Sequence, residues 1–277
     1  MLKELANRLI NHDIVPYLGA GALADVVEVG TQNPIPADSD SLILALTGGK
    51  PLSPRLMYEF PRAAMDQELK RGRNALIKTL NAVYAGNRQW TRGALHDWLA
   101  DIKPPYVIDI NRDLQLQTSY SNTPHLLIRG VARIAGTQYR FKLDYFNGEH
   151  YEENTSPETA PSNVPILFKP MGSPLPDAVY IASDADYVDY ITELMGGFAI
   201  PSFLKTYRKQ RQYLFLGLRL NRDTERMVLS DIIYDSATPA GWALIPDPTP
   251  KERRFCATKN IEIVEASIND FLAQQTT

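Results

Sequence analysis

A single cysteine in 277 residues removes two architectures at once. No disulfide can close within the chain, and a zinc site built on paired Cys-x-x-Cys hooks has no ligands. Cys256, in KERRFCATKN, falls at helical spacing as a small apolar filler; with no His beside it, a reactive thiol is the weaker reading. A basic excess is missing too. Lys and Arg total 29 against 32 for Asp and Glu, a net charge of −3, which leaves no electrostatic footprint for nucleic acid or an anionic membrane surface. Nor is there an apolar run of the roughly 20 residues that a membrane-spanning helix needs. The first residues, MLKELANRLINHD, carry charge in every turn, so no secretory signal is read there and a cytoplasmic location is expected. What the chain does have is 44% hydrophobic content, enough for the core of one large domain.

The apolar residues are arranged in two alternating periods. Leu2, Leu5, Ala6, Leu9 and Ile10 share a helical face, and Ile14 to Leu18 then run continuously apolar, so the chain opens as helix followed by buried strand. Residues 30–61 are rich in Pro, Gly, Ser and Asp and predict loops around one short helix. Helical patterns fill 62–100 and stop at Pro104-Pro105. YVIDI is a second strand. LLIRGVARIAG and TQYRFKLDYF predict a β-hairpin around Gly136, which interrupts the alternation and marks 125–165 as an insertion, completed by the polar loop YEENTSPETAPSN. Afterwards VPILFKP, YLFLGLRL, GWALIP and IEIVEA read as strands. DADYVDYITELMGG, FLKTYRKQ, DTERMVLSDII, KERRFCATKN and SINDFLAQQ read as helices. Strands separated by helices of this length predict a Rossmann-like, doubly wound, mostly parallel α/β sheet covered by helices on both faces. Residues 1–277 are taken as one domain with the hairpin insertion inside it. Such a sheet binds ligands at the carboxyl ends of its strands.

Those ends are where the polar and glycine residues collect. Gly19 and Gly21 let the backbone amides of Gly19, Ala20, Gly21 and Ala22 approach a pyrophosphate as the chain enters a following helix; a plain turn after the strand fits the same residues. The second strand ends in Asn111-Arg112-Asp113. Asn111 can donate to and accept from a carboxamide or ribose hydroxyl, and Asp113 can accept from an amide; either residue can equally cap the helix that begins near LQLQ. The third strand ends in Lys169-Pro170-Met171-Gly172-Ser173. Lys169 suits a phosphate or carboxylate, or solvent, and Gly172 and Ser173 suit a ligand loop or a turn before Pro174. The fourth ends at Gly217, followed by Asp223, which reads as a ligand contact or as an N-terminal helix charge.

This ordered set resembles the sirtuin-like, or silent information regulator-like, NAD-binding family, particularly its bacterial branch without a zinc ribbon. The resemblance rests on Gly19-Ala20-Gly21 after the first strand, Ile110-Asn111-Arg112-Asp113 after the second, Pro170-Met171-Gly172 after the third, and Gly217 with Asp223 after the fourth. It covers nearly the whole chain. It implies a small-molecule nucleotide ligand, NAD or an ADP-ribose-like compound, with no zinc. Gly19, Ala20, Gly21, Ala22, Asn111, Asp113, Lys169, Gly172, Ser173, Gly217 and Asp223 would form the binding site.

The chain departs from the family at the catalytic histidine, whose place Met171 takes. A thioether has no proton to exchange. Of the remaining histidines, His12 and His96 lie in predicted helices and His150 in a solvent-facing turn. His125 is the one stand-in considered for catalysis beside Asn111. The resemblance therefore implies NAD binding with altered or lost catalysis, in a sensor or accessory role. The alternatives are an active NAD glycohydrolase of the bacterial defence type and a structural interaction module. A homo-oligomer or a protein partner is compatible with each of these readings.

Overall fold

The structure, a computed structural model, describes residues 1–134, 139–152 and 156–274. Eight strands of a nine-stranded sheet run in one direction, and seven of them pair in parallel: β1 (Val15–Leu18), β2 (Tyr106–Asp109), β3 (His125–Gly130), β6 (Ile166–Lys169), β9 (Tyr213–Leu216), β10 (Gly241–Leu244) and β11 (Ile261–Val264).

 The eighth, β5 (Tyr151–Glu152), points the same way at the sheet edge, because it and β3 both pair antiparallel with β4 (Phe141–Phe146). The order across the sheet is β11-β10-β9-β1-β2-β6-β3-β4-β5, the Rossmann-like α/β arrangement expected from the alternation of strands and helices. β1, β2 and β9 are buried at every position, which is why their sequences, Asp109 at the end of β2 apart, are runs of apolar residues.

Each face of the sheet has its own apolar layer. On one side α1 (Leu2–Ile10), α5 (Ala94–Ile102), α6 (Gln115–Ser119) and α11 (Ile268–Ala273) bury Leu5, Leu9, Leu95, Leu99, Leu116 and Phe271 against Leu18, Val107 and Leu214. On the other, α7 (Asp184–Gly196), α8 (Ser202–Tyr207), α9 (Asp223–Ile232) and α10 (Pro250–Thr258) bury Tyr190, Leu204, Leu229 and Cys256 against Tyr17, Ile108 and Phe215. Cys256 is thus the apolar filler its spacing predicts. A third cluster joins α2 (Ser39–Leu46), α3 (Phe60–Arg71) and α4 (Arg73–Tyr84) to Tyr180 and Ala182. These three helices form a cap between β1 and β2 in the chain.

The β3–β4 hairpin forms, and its first strand also pairs in parallel with β6, so the hairpin extends the main sheet. The turn expected at Gly136 lies outside the described residues, as do Glu153, Asn154 and Thr155 of the polar loop and Gln275 at the end of SINDFLAQQ. A two-stranded ladder, β7 (Gly172–Ser173) with β8 (Val179–Tyr180), follows β6. Among the described residues, no helix is long and apolar enough to cross a membrane.

The direction of strand succession reverses at β1. From it the chain builds outward through β2 on one side, while β9, β10 and β11 fill the other. Leu18 is level with Asp109 on one flank and Leu216 on the other, so the loops leaving β1, β2 and β9 emerge together. Crevices of this kind are where open α/β sheets take their ligands.

Candidate functional site

The Gly-Ala-Gly loop after β1 is built against the loop after β9. Gly19 donates its amide to the Leu216 carbonyl at 2.9 Å and Gly21 donates to the Gly217 carbonyl at 2.8 Å. A Cβ on Gly217, whose φ is +74°, would stand 2.4 Å from the Ala22 nitrogen, and one on Gly19 would stand 2.7 Å from the Gly217 oxygen. The glycines therefore permit one backbone to lie on another, the turn reading that the sequence left open. The expected row of pyrophosphate-facing amides is reduced accordingly. Gly19 and Gly21 donate to β9 and its loop, and Ala22 donates back to the Gly19 carbonyl at 3.0 Å. The loop also opens into a short 3-10 turn, Ala20–Leu23, rather than the α-helix expected, so no long helix dipole is aimed at it.

Asn111 is the residue most firmly set in place. Its Nδ2 donates to the Gly19 carbonyl at 3.0 Å and to Asp109 Oδ1 at 2.9 Å, and its backbone amide donates to the same Oδ1 at 3.0 Å. Both partners of the side chain are acceptors, so the amino group must face them and Oδ1 is left to accept from elsewhere. Asp109 is held in turn by Lys169, whose Nζ lies 2.5 Å from Oδ2; both side chains are fully buried. Lys169, expected to reach a ligand or solvent, instead balances the carboxylate that orients Asn111. The pairing is a register effect: Ile108 is level with Phe168, so the next residues along β2 and β6 are neighbours.

Other sequence-derived positions are occupied by protein partners. Asp113 Oδ1 accepts from the Gln115 amide at 2.6 Å, the helix-start role; its Oδ2 is buried without a partner among the described residues, and burial raises its pKa while Lys169 lowers it. Gly172 and Ser173 form the β7–β8 ladder, and Ser173 Oγ donates to the Leu175 carbonyl at 2.7 Å. Arg112 donates to the Ile181 carbonyl and the Tyr187 hydroxyl and lies over the Phe60 ring. Asp223 pairs with Arg226 at the start of α9, the helix-charge reading.

His125 is not brought to Asn111. It is the first residue of β3, at the amino end of the sheet, whereas Asn111 follows the carboxyl end of β2. Its ring stacks on Phe146 and meets the Tyr151 hydroxyl and the Thr123 carbonyl. Burial pushes its pKa down to about 4. The role of catalytic stand-in, read from its nearness in sequence, is corrected by this placement: the length of a strand separates the two.

A narrow cavity of about 50 Å³ opens between the cap and the sheet, lined by Ala20, Asn111, Met171, Phe60, Arg222 and Glu225 among others. It has room for a few waters. On the far side of the 19–22 loop a second cavity, about 210 Å³, is lined by Gly21, Ala22, Gly217, Leu218, Ile245 and Ser267 among others. Ala20 faces one space and Gly21 the other, so the two flank a single turn. Glu225 was missed in the sequence, although a signal for it existed. Val228, Leu229 and Ile232 are the buried residues of α9, and Glu225 stands three, four and seven positions before them, a carboxyl on the apolar stripe.

These elements define a Rossmann-like α/β protein with a cleft at its strand-order reversal. Residues 113–264 match the SIR2-like domain, more than half of the 277 residues, and the chain belongs to that family. The family is associated in general with NAD. The match begins just after Asn111, so the glycine loop and Asn111 are placed beside it by the fold. No curated protein matches the chain. Among the described residues, no group of three or more His, Cys, Asp or Glu is placed to hold a metal ion.

Proposed function

We propose that the cleft binds NAD or an ADP-ribose-like nucleotide, and that the protein acts as a sensor or accessory factor in which the family's imidazole chemistry is lost. The observation that carries this reading is the setting of Asn111, with both amino hydrogens committed to Asp109 and Gly19 and its Oδ1 turned to other partners. An oxygen so oriented can accept from a ribose hydroxyl. A dinucleotide laid across Ala20–Ala22 would extend from the cavity beside Asn111 to the one beside Gly217 and Ser267. The amide of Ala20 and the turn around it would lie against the diphosphate. Admission of a ring into the narrower cavity requires the cap helices to ease away from the sheet.

The chemistry within the cleft supports binding over turnover by the family route. Met171 is buried and lines the same cavity as Asn111, and its thioether cannot take a proton from a hydroxyl or a water. Losing a general base costs on the order of a hundred- to ten-thousandfold in rate. Titration calorimetry with NAD and ADP-ribose, paired with an assay for free nicotinamide, tests the proposal. Saturable binding without nicotinamide release is expected, weakened about tenfold or more by Asn111→Ala, the equivalent of one good hydrogen bond. Nicotinamide release that Asn111→Ala abolishes would establish the glycohydrolase reading instead. The absence of heat with either compound would leave the cleft as a structural feature of an interaction module.

A further inference from the structure

Glu225 lies in the first turn of α9 and lines the cavity that holds Asn111 and Met171. Its Oε2 is buried and has no hydrogen-bond partner among the described residues. A desolvated carboxyl without a partner is costly to maintain. Neither arginine on the same cavity wall hydrogen-bonds Glu225 among the described residues. Arg112 is spent on the Ile181 carbonyl, the Tyr187 hydroxyl and the Phe60 ring. Arg222 lies over the Tyr58 ring with its guanidinium 3.5 Å from Asp40. Glu59, the other carboxylate lining the cavity, accepts from the Asp223 amide at 3.0 Å.

Resting on the nucleotide reading of the cleft, we propose that Glu225 is a specificity residue: it recognises the positively charged nicotinamide ring of oxidised NAD and sets that form apart from NADH and ADP-ribose. The three ligands share the ADP-ribose part, but only the oxidised dinucleotide carries a cationic ring. Such a ring entering the cavity would meet a buried carboxyl oxygen with no protein donor among the described residues, and an opposite charge there is worth far more than at the surface.

The surroundings of Glu225 make the recognition dependent on pH. Burial raises its pKa to about 8; Arg222 favours the charged form, while Glu59, Asp38 and Glu252 oppose it. Tyr17 from β1 and Tyr187 from α7 are also coupled to it, and both are uncharged when protonated. A cation beside the carboxyl favours ionisation, so binding of the oxidised form releases a proton near neutral pH and strengthens as pH rises through about 8.

Affinities for NAD, NADH and ADP-ribose, measured by calorimetry at about pH 6.5 and about pH 9, test the proposal in wild type and Glu225→Gln. In the wild type, preference for NAD over NADH should grow by about tenfold between the two conditions, the equivalent of one pKa unit of coupling. The Gln variant keeps the shape of the side chain, and should bind NADH as the wild type does while losing both the preference and its pH dependence. Equal affinity for NAD and NADH in the wild type at the higher pH, or a preference that survives in Glu225→Gln, overturns the assignment of Glu225 and leaves the nucleotide site standing. Failure of all three compounds to bind at either pH overturns both.

Discussion

Asp109 decides what Asn111 can do, and Lys169 decides what Asp109 costs. A carboxylate removed from water is tolerated when a cation and hydrogen-bond donors meet it, and here Lys169 Nζ and two donors from Asn111 do so. Truncating the cation leaves the carboxylate buried and uncompensated. Lys169→Met should therefore destabilise the protein by about 3–5 kcal/mol, as breaking buried pairs does, measured by urea unfolding. Adding Asp109→Asn should restore part of the loss, because Asn is neutral yet keeps an oxygen for Asn111. Recovery would be absent if Lys169 served only by packing its methylenes. The sequence displayed Asn111 and Lys169 as strand-end polar residues but not their link through Asp109. That link depends on the register of β2 against β6, which the spacing of two segments some 60 positions apart does not encode. His125 erred for the same reason: nearness in the chain hid which end of its strand it occupies.

The loops after β1 and β9 form one joint, and glycine is needed there because two backbones meet. Gly217 combines a φ of +74° with main-chain atoms 2.4 and 2.6 Å from any added Cβ, and neither obstacle can rotate aside. Gly30 has a φ of +94° with nothing near its Cβ position, so it isolates the cost of the dihedral from the cost of the clash. Gly217→Ala should be the more destabilising of the two by about 2 kcal/mol or more, read by thermal unfolding, and should weaken nucleotide binding, whereas Gly30→Ala should leave binding unchanged. Similar losses in both variants would show that the loops separate freely. Strands and helices were legible because their periods are local: buried parallel strands appear as apolar runs, and α1, α7 and α9 as stripes. The use made of Gly19, Gly21 and Gly217 was not legible, since a glycine facing a phosphate and one facing another backbone leave the same letter in the sequence.

The cleft also contributes to how the fold responds to pH. Glu225 has an ordinary pKa of 4.5, and burial raises it to about 8 in the folded protein. Between those values the folded state holds a proton on Glu225 that the unfolded chain has released, so the stability this group contributes falls as pH rises across that window and then levels off. The usual carboxylate, lowered by a cation, behaves in the opposite sense. Glu225→Gln cannot ionise and should lack this decline: its stability relative to wild type should improve from about pH 5 to about pH 9, measured by urea unfolding at each pH. A constant difference would mean that the side chain is solvated in the free protein. A cationic ligand should offset the same penalty. Oxidised NAD should then raise the unfolding temperature of the wild type more at the higher pH than at the lower, by mass action on a tighter site, and should give no such increment in Glu225→Gln. The carboxyl that weakens the empty fold would thus be the group that makes binding selective, and a pH-independent increment in the wild type would separate the two roles.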